Sequence, residues 1–540
     1  MTGIKESKTT EQPFRMIWEA EWNDIVCADY PLTPEQWLRE CMRPLAGTQV
    51  DCLLYNLCSS DAYCCGLESG EILCDAFEQF EDAWVWRYRE NTKKLIEADA
   101  NPPALACEYG HRLGLKVIPI VRMNDPHDQN HKYEVSRFKM ANPHLLLGYT
   151  GPDWRPPWGT GFRQHPNPES MDATNWGLFD FAHKEVRDHK MAIIEEFITR
   201  WDNDGIALDF DRDPRYFKEF GVAENAALIT DMIRVTREIL DRVSRERGRP
   251  MYLHVRVVAD IDTCWQRGLD VHTWVKESLV DVVVPGAGYM SFDMDLGPWL
   301  ELVEGHDCWI FPCANHWKRT EVTRAWAKLM YHRGAHGLQL FNYGHMLYGH
   351  GKDTPPQSDR QGTVWYDDLH PDYYRVLHEI HDPDVIAFLN CAYDLDSSPR
   401  APNRGAHSGQ NNRIYRGTDA IVLPVVLSEG SHVIPFGMAD DLEAARQRAL
   451  SPKVALRLQV HNFTRPDEVE VSVNGRLLPE DARSTRAQFI MDNFTWITYP
   501  MPPDVLRLGQ NELKIDIKRL NPAICVTPRL DHVEILVQYA

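Results

Sequence analysis

The sequence lacks any run of about 18 apolar residues, which excludes a transmembrane helix of ordinary length. Its polar opening segment, MTGIKESKTTEQPF, also lacks the apolar stretch of a signal peptide, so we expect a cytoplasmic protein with no membrane partner. Positive charge is scarce, because 58 Lys and Arg face 79 Asp and Glu for a net charge of -21. We therefore expect no nucleic-acid partner, although arginines inside a cleft can still receive a small anion.

The motifs of the common cofactors are missing as well. There is no Walker loop, no glycine-rich dinucleotide fingerprint and no H-E-x-x-H zinc motif. The 13 cysteines do not form the paired C-x-x-C spacing of a structural zinc site, and an odd count disfavours a complete disulfide framework. We expect no cofactor, no metal and mostly buried, reduced thiols.

What the chain does contain is a regular alternation of short apolar runs and amphipathic helical patterns, from about residue 15 to about residue 380. The predicted strands are Arg15–Trp22, Asp51–Leu57, Lys116–Arg122, Gly205–Phe210, Met251–Val257, Asp281–Pro285, Cys308–Cys313 and Gly337–Asn342. The predicted helices are Pro34–Met42, Tyr88–Leu113, Lys184–Asp202, Glu224–Glu246, Val271–Leu279, Leu296–Glu304, Glu321–Arg333 and Tyr366–Glu379. Continuously apolar strands are typical of a parallel sheet that is covered on both faces. Eight such units predict an α/β protein with a (β/α)₈ TIM barrel.

The rival architecture, an open doubly wound sheet, predicts a glycine-rich loop after the first strand, and none is present. After about residue 384 the pattern changes to short alternating segments separated by turns such as Asn474-Gly475, which predicts a β-sandwich. We therefore predict an extended N-terminus over 1–14, a catalytic barrel over 15–383, and a linker with a β-sandwich domain over 384–540. For the sandwich, carbohydrate binding, packing against the barrel and a homodimer contact all stay open.

Two of the predicted loops are unusually long. Leu57 to about Trp86 follows the second strand, and Asn124 to about His183 follows the third. Long loops at the carboxyl ends of barrel strands usually build the wall of an active site. We expect the same of these two.

Polar residues cluster at the ends of strands that are otherwise apolar, which is expected at a site and not in a core. They are Glu19, Glu21, Asp24, Asn56, Arg122, Asn124, Asp125, His127, Asp209, Asp211, Arg212, His254, Arg256, Tyr289, Asn315, His316, Asn342 and His345. Strand alternation puts Asp209 and Asp211 on one face and Phe210 and Arg212 on the other. For each of these carboxylates, structural pairing and catalysis remain equally open.

His127 is the best candidate for proton transfer, since an imidazole titrates near neutrality. Asp125 is placed to orient it or to raise its pKa; the alternative is a loop histidine that caps a helix. The guanidinium groups of Arg122, Arg212 and Arg256 match the two oxygens of a carboxylate. Their alternative role is an internal salt bridge to Asp209 or Asp211.

Three motifs together resemble a known family. They are RMNDPH at Arg122–His127, GIALDFDR at Gly205–Arg212 and LFNY at Leu340–Tyr343, and the opening strand with Trp22-Asn23-Asp24 also fits. The set looks like the glycosidase-like barrels related to family 10, and within them it is most similar to the glycoside hydrolase family 156 sialidases. The likeness covers residues 15 to about 380.

The resemblance implies an exo-acting, inverting sialidase that acts on a sialylated glycan. His127 and Asp24 would form the acid/base pair supported by Asp125, Arg122 and Arg212 would bind the sialic acid carboxylate, and Asn342 would bind another substituent. The predicted substrate-binding set is completed by Asn124, Arg256 and Asp209. Two alternatives remain: a glycosidase for another acidic sugar such as a uronic acid or a related keto acid, and a non-catalytic carbohydrate-binding barrel.

Overall fold

The computed structural model describes residues 11–21, 30–156, 158, 176–286, 292–314, 319–341, 373–396, 423–488 and 494–539. Its first part is built on one curled sheet in which every pair of neighbouring strands is parallel. The strands are β1 Met16–Glu21, β2 Cys52–Asn56, β3 Lys116–Arg122, β4 Gly205–Asp209, β5 Tyr252–Val257, β6 Val282–Pro285, β7 Trp309–Ile310, β8 Cys313–Ala314 and β9 Leu338–Leu340. Their order is β7-β6-β5-β4-β3-β2-β1-β9-β8. The predicted α/β class with a parallel sheet is thereby confirmed.

The two edges of this sheet lie in one short stretch of chain. The predicted strand Cys308–Cys313 is divided into β7 and β8, because Pro312 has no N–H to donate to a neighbour. Phe311 N–H donates to the Val283 carbonyl at 3.1 Å, and the Pro312 carbonyl accepts from Gln339 N–H at 3.0 Å. Consecutive residues thus bond to opposite ends of the strand order.

Helices lie between the strands as the alternation predicts, and two of the predicted helices differ from those observed. They are α1 Pro34–Met42, α2 Ala83–Glu97, α3 Pro102–Arg112, α4 His127–Asn130, α5 Arg137–Ala141, α6 Lys184–Arg200, α7 Ala223–Arg247, α8 Ile261–Gln266, α9 Val271–Lys276, α10 Gly297–Leu302, α11 Thr320–His332, α12 Pro383–Ile386 and α13 Leu442–Gln447. The single helix predicted over Tyr88–Leu113 is wrong: α2 ends near Asp99, which has a φ of 55°, and α3 begins at Pro102. Of the predicted Tyr366–Glu379 helix, 366–372 lie outside the described residues and Tyr373–His378 forms a 3₁₀ helix.

Apolar side chains pack on both faces of the sheet. On β1, Met16 and Trp18 join the large core between sheet and helices, whereas Ile17 joins a smaller cluster on the opposite face. The sheet is tight where β4 meets β5: a Cβ at Gly205 would stand 2.1 Å from the Tyr252 carbonyl oxygen, so this position requires glycine.

The second part of the chain consists of two antiparallel sheets. The strands are β10 Cys391–Asp396, β11 Val425–Val426, β12 Gly430–Met438, β13 Lys453–His461, β14 Glu468–Val473, β15 Arg476–Leu477, β16 Ser484–Gln488, β17 Phe494–Met501, β18 Gly509–Arg519 and β19 Arg529–Gln538. One sheet has the order β10-β19-β13-β17-β16, with β11 also on β19, and the other has the order β12-β18-β14-β15. Burial alternates along β13, as expected of a strand with one face in a core. These two sheets agree with the predicted sandwich.

One buried carboxylate ties the two parts together. Asp440 accepts from Lys328 of α11 at 2.7 Å and from the hydroxyl groups of Tyr393 at 2.6 Å and Tyr539 at 2.5 Å. Lys328 and Asp440 are both buried, so the charge of each is compensated by the other. Helix α11 is therefore fixed to the C-terminal sheets by a polar contact that excludes water.

The cysteines in the described part of the chain are free thiols, and all of them except Cys525 are buried, as expected. Among the described helices, none is both long and apolar enough to cross a bilayer.

Candidate active site

One face of the parallel sheet changes from apolar to polar along the strands. At the amino ends it carries Ile17, Ile118 and Ala207, which pack together. Because side chains repeat every second residue, the same face continues toward the carboxyl ends with polar residues. They are Glu19 and Glu21 on β1, Arg122 on β3, Asp209 on β4, His254 and Arg256 on β5, and Gln339 on β9. The carboxyl ends of parallel strands meet at one edge, so the fold itself gathers these groups.

Arg256 is the hub of the deepest part of this cluster. Its guanidinium holds both carboxylate oxygens of Asp209, with Nε at 3.0 Å from Oδ1, and its Nη1 donates to Glu19 at 2.5 Å. Glu19 also accepts from Gln339, whose amide oxygen lies 3.0 Å from His254 Nε2. Each of these residues is buried. Arg256 and Asp209, both predicted to bind substrate, are thus each other's internal partners, which is the alternative that the sequence left open.

Burial and ion pairing set the charges in this hub. Burial raises the pKa of Glu19 even though the positive charge of Arg256 opposes the shift. For Asp209 burial acts in the same upward direction, but the bidentate contact with Arg256 outweighs it and lowers the pKa. Burial lowers the pKa of His254 to about 3, so this imidazole is neutral.

Arg122 is likewise paired with carboxylates of its own chain. Its Nη1 donates to Asp125 at 2.9 Å and to the Cys58 carbonyl at 3.3 Å, and its Nη2 forms an ion pair with Glu21. Only 1% of the residue is exposed. A substrate carboxylate could reach this guanidinium only by displacing Glu21, which is itself 14% exposed and so nearer to solvent.

His127 lies between a carboxylate and a guanidinium group, those of Asp125 and Arg212. Asp125 Oδ1 lies 2.5 Å from Nδ1 and accepts the His127 backbone N–H at 3.1 Å, while Arg212 Nη2 lies 2.7 Å from Nε2. A guanidinium has only N–H groups to offer, so Nε2 is the acceptor and the proton sits on Nδ1. The His127 side chain is 28% exposed and Arg212 is also partly exposed, so solvent reaches both of these groups, whereas Asp125 is buried.

The electrostatic surroundings keep His127 neutral. Desolvation and the charge of Arg212 lower the pKa of His127 to about 4, although Asp125 acts in the opposite direction. Burial opposes ionisation of Asp125, but His127 and Arg122 still hold its pKa well below the usual range. At neutral pH this arrangement is a carboxylate behind a neutral imidazole, which can accept a proton and not donate one.

Asn124 is engaged by the backbone on every side. Its amide nitrogen donates to the carbonyls of Phe179 at 2.9 Å and Arg215 at 2.7 Å, and its oxygen accepts from Phe179 N–H at 3.0 Å. The predicted substrate contact therefore has no amide hydrogen left, and the geometry gives Asn124 the role of joining two loops.

Asp211 is one of the polar residues at the strand ends, but the predicted catalytic and substrate-binding sets do not contain it. Its carboxyl group is buried and makes no hydrogen bond within the described ranges. Burial, reinforced by the charge of Asp209, raises the pKa of Asp211 well above its usual value. The available signal was the Asp-x-Asp spacing, which places both carboxyl groups on one face while Arg256 can neutralise only the first.

Two predicted residues, Asp24 and Asn342, lie outside the described residues. The same holds for Tyr289, Asn315, His316 and His345. The separation between His127 and Asp24, on which the inverting mechanism depends, is therefore not described, and their pairing stays a prediction.

A buried polar network joins the two long loops to each other and to α6. Asp61, in the loop after β2, binds Lys190 at 2.8 Å and His189 at 2.9 Å, both on α6, and accepts from Ser136 Oγ of the loop after β3 at 3.0 Å. In that second loop Lys139 binds Asp128 at 2.7 Å and donates to Ser60 Oγ at 3.1 Å. Although burial opposes ionisation, the positive charges lower the pKa of Asp61. Because such charges are costly to bury unpaired, the network fixes the loop after β2 against the loop after β3.

A metal ion has a candidate group in the described part of the chain, but not at this site. Asp394, His532 and Glu534 bring their ligand atoms within 4.8 Å of one another in the C-terminal sheet. Glu534 already forms an ion pair with Arg319 and lies 2.5 Å from Arg457. Two guanidinium groups there supply the charge that a cation would supply.

Comparisons with known proteins give no family. No family model matches the chain, and no curated protein matches it. Among solved structures, a cycloisomaltooligosaccharide glucanotransferase from Paenibacillus sp. is similar over 96% of this chain and 57% of its own, with 9% identity and a TM-score of 0.33. This chain thus spans little more than half of that protein.

Two further solved structures are similar at the same level. One is an α-L-fucosidase from Bacteroides thetaiotaomicron, which covers 98% of this chain and 97% of its own with 8% identity and a TM-score of 0.32. The other is the galactosidase domain of an α-galactosidase-sucrose kinase, with 94% and 55% coverage, 10% identity and a TM-score of 0.37. Similarity this low supports no conclusion about function, which has to come from the site.

Proposed function

We propose that this protein is a glycoside hydrolase that releases a terminal acidic sugar, most specifically sialic acid, from a glycan. The observation that supports the proposal is the chain of contacts from Asp125 through His127 to Arg212. It places a neutral proton acceptor and a cation side by side at the carboxyl edge of the sheet. An acidic sugar needs a cation for its carboxylate and a base for the attacking water.

In the proposed reaction, the arrival of the substrate activates the base. Without substrate, Arg212 donates a hydrogen bond to Nε2 of His127. A sugar carboxylate that binds this guanidinium and draws it away therefore frees the acceptor lone pair of Nε2. His127 then takes a proton from water, the water oxygen bonds to the anomeric carbon, and the glycosidic oxygen leaves with a proton from an acid. Asp125 keeps the imidazole in the required tautomer and stabilises the imidazolium that forms.

Because His127 is the base in this scheme, Asp24, its partner in the predicted acid/base pair, is assigned the role of the acid. Water attack opposite the leaving group inverts the anomeric centre, and it requires about 6.5–9.5 Å between acid and base. With Arg122 held by its own carboxylates, Arg212 is the first receptor for the substrate anion, and Arg122 joins only if Glu21 moves aside.

The barrel belongs to the same proposal. We infer that the sheet closes through the stretch around Phe311 and Pro312, since these residues bond to β6 on one side and to β9 on the other. A closed (β/α)₈ barrel over 15–383 would carry its site at the carboxyl ends of the strands, where the cluster lies.

A panel of chromogenic glycosides tests the activity, with the sialic acid glycoside, a glucuronide and neutral hexosides compared at equal concentration. We expect cleavage of the sialoside, and His127→Ala should lower turnover by about 10²–10⁴-fold while binding survives. The control is His432→Ala, because His432 lies on β12 of the C-terminal sheets, is only partly buried and bonds through its ring to the Ser428 carbonyl. Unchanged turnover in His127→Ala would refute the role of His127 as the base, and faster cleavage of neutral hexosides would refute the proposed anion-binding site.

Two further measurements refine the proposal. Proton NMR of the first anomer released should show inversion, and retention would exclude single displacement. Arg212→Met should raise KM for acidic glycosides, and a glucuronide that outperforms the sialoside would redirect the proposal to uronic acids.

A further inference from the structure

A pocket lies on the loop that follows β5. Its volume is about 300 Å³, and it is formed by α8, α9 and the turn that joins them. Both helices are fixed at their beginnings: Asp260 accepts from Thr263 N–H at 2.7 Å, and Asp270 accepts from Thr273 N–H at 3.1 Å. The pocket is therefore a preformed feature of the fold.

An exposed indole forms one wall of this pocket. Trp265 is 41% exposed, which is unusual for so large an apolar side chain. Around it stand the polar side chains of Asp262, Gln266 and His272, which are exposed and make no hydrogen bond to the described residues. Leu269 is buried beneath them. The indole thus offers a flat apolar surface, and the hydrogen-bonding groups at its border do not contribute hydrogen bonds to the described part of the fold.

We propose that the Trp265 pocket binds a neutral sugar ring of the glycan substrate. One apolar face of a hexose can lie on the indole, while its hydroxyl groups bond to Asp262, Gln266 and His272. No lysine or arginine lines the pocket and two carboxylates do, so a second acidic sugar is disfavoured. A volume at the lower end of ligand pockets suits one or two rings and not a peptide or a nucleic acid.

The loop that carries the pocket is bonded to the loop that carries Arg212. Gly221 N–H donates to the Gln266 carbonyl at 2.9 Å, and Gly268 packs so closely on Phe217 that a Cβ there would stand 2.8 Å from its ring. The segment between β4 and α7 therefore spans from the acidic-sugar site to the new pocket. This inference rests on the proposed function: the acidic end of the glycan is cleaved beside His127, and neutral sugars further along are held at Trp265.

The test measures the binding of two neutral sugars, galactose and lactose, to the whole protein by saturation-transfer NMR and calorimetry. We expect weak binding in wild type that Trp265→Ala weakens by about 10-fold and Trp265→Phe weakens less. The control is Leu477→Ala, which removes an exposed apolar side chain from the C-terminal domain and should change nothing. Binding that is absent in wild type or unchanged in Trp265→Ala would overturn the proposal.

Kinetics separate this inference from the proposed function. With an oligosaccharide substrate, Trp265→Ala should raise KM about 5- to 10-fold at constant kcat, whereas KM for a single-sugar chromogenic glycoside should not change. Equal KM effects on both substrates would refute a remote sugar contact. If no glycoside is cleaved but lactose still binds through Trp265, the hydrolase assignment fails and the pocket stands; if cleavage depends on His127 and lactose does not bind, only the pocket fails.

Discussion

The pKa of His127 is the most direct test of the site, because it can be measured without any substrate. This imidazole has a pKa of about 4 in the structure: burial and Arg212 lower the pKa, and Asp125 raises it. The two neighbours act in opposite directions, so their removal must shift the pKa in opposite directions. Arg212→Met should raise it, and Asp125→Asn should lower it further.

The contacts also give the size of these shifts. With 2.7 Å between Arg212 Nη2 and His127 Nε2, the two charge centres are roughly 4 Å apart, and unit charges at that distance interact by about 1 kcal/mol in water and about 4 kcal/mol near a protein surface. One pKa unit corresponds to about 1.4 kcal/mol, so Arg212→Met should raise the pKa of His127 by about one unit or more.

The assay is an NMR titration of the imidazole carbons, in which His127→Gln assigns the signal among the 22 histidines. A wild-type midpoint near 6.5, or shifts of the same sign in both variants, would refute the described geometry. Protonation of His127 also removes the proposed base, so kcat/KM should be constant near neutrality and fall as the pH drops through about 4. The unfolded chain takes up its proton nearer pH 6.5, so this group destabilises the fold progressively as the pH falls from about 6.5 to about 4.

Three predictions concern stability and are measured by denaturant unfolding. Arg256→Met leaves two buried carboxylates without a cation and should cost about 3–5 kcal/mol. The control Arg234→Met, which removes only exposed ion pairs such as that with Glu277, should leave the free energy of unfolding nearly unchanged; equal costs would contradict the buried hub. Asp211→Asn should stabilise the protein by about 0.5–2 kcal/mol at neutral pH. The fold raises the pKa of the Asp211 carboxyl, so this group destabilises the folded protein once the pH rises above the pKa that the carboxyl has in the unfolded chain. A gain that persists at pH 3 would count against this cause. Lys328→Met should cost about 3–5 kcal/mol by leaving Asp440 buried without its cation, and a near-neutral effect would mean that the tyrosine hydroxyl groups suffice.

Much of the fold follows from periodicity, and the differences arise where one residue overrides it. The strand and helix alternation predicted the parallel sheet, but Pro312 divides one strand, and Pro102 begins a new helix inside a pattern that was continuous in its apolar spacing. Neither break changes which face of an element is buried. Hydrophobic period alone therefore cannot reveal them.

The site was predictable in composition but not in its pairing. Polar residues at strand ends marked the correct edge of the sheet, yet their partners come from distant strands, as with Arg256 and Glu19, which are 237 residues apart. That pairing decides whether an arginine is available to bind a ligand or already forms an ion pair with a carboxylate of the same protein. The position of His127 behind Asp125 was foreseeable, since the two are neighbours in sequence; its contact with Arg212 was not.

The placement of β19 has a consequence for how the protein is made. Strand 529–538 is inserted between β10 and β13, two strands that the ribosome releases well before it. Until it emerges, both of those strands keep an unsatisfied edge, which other nascent chains can capture. We accordingly expect that added chaperone, which covers these edges until β19 emerges, raises the yield in a heterologous host.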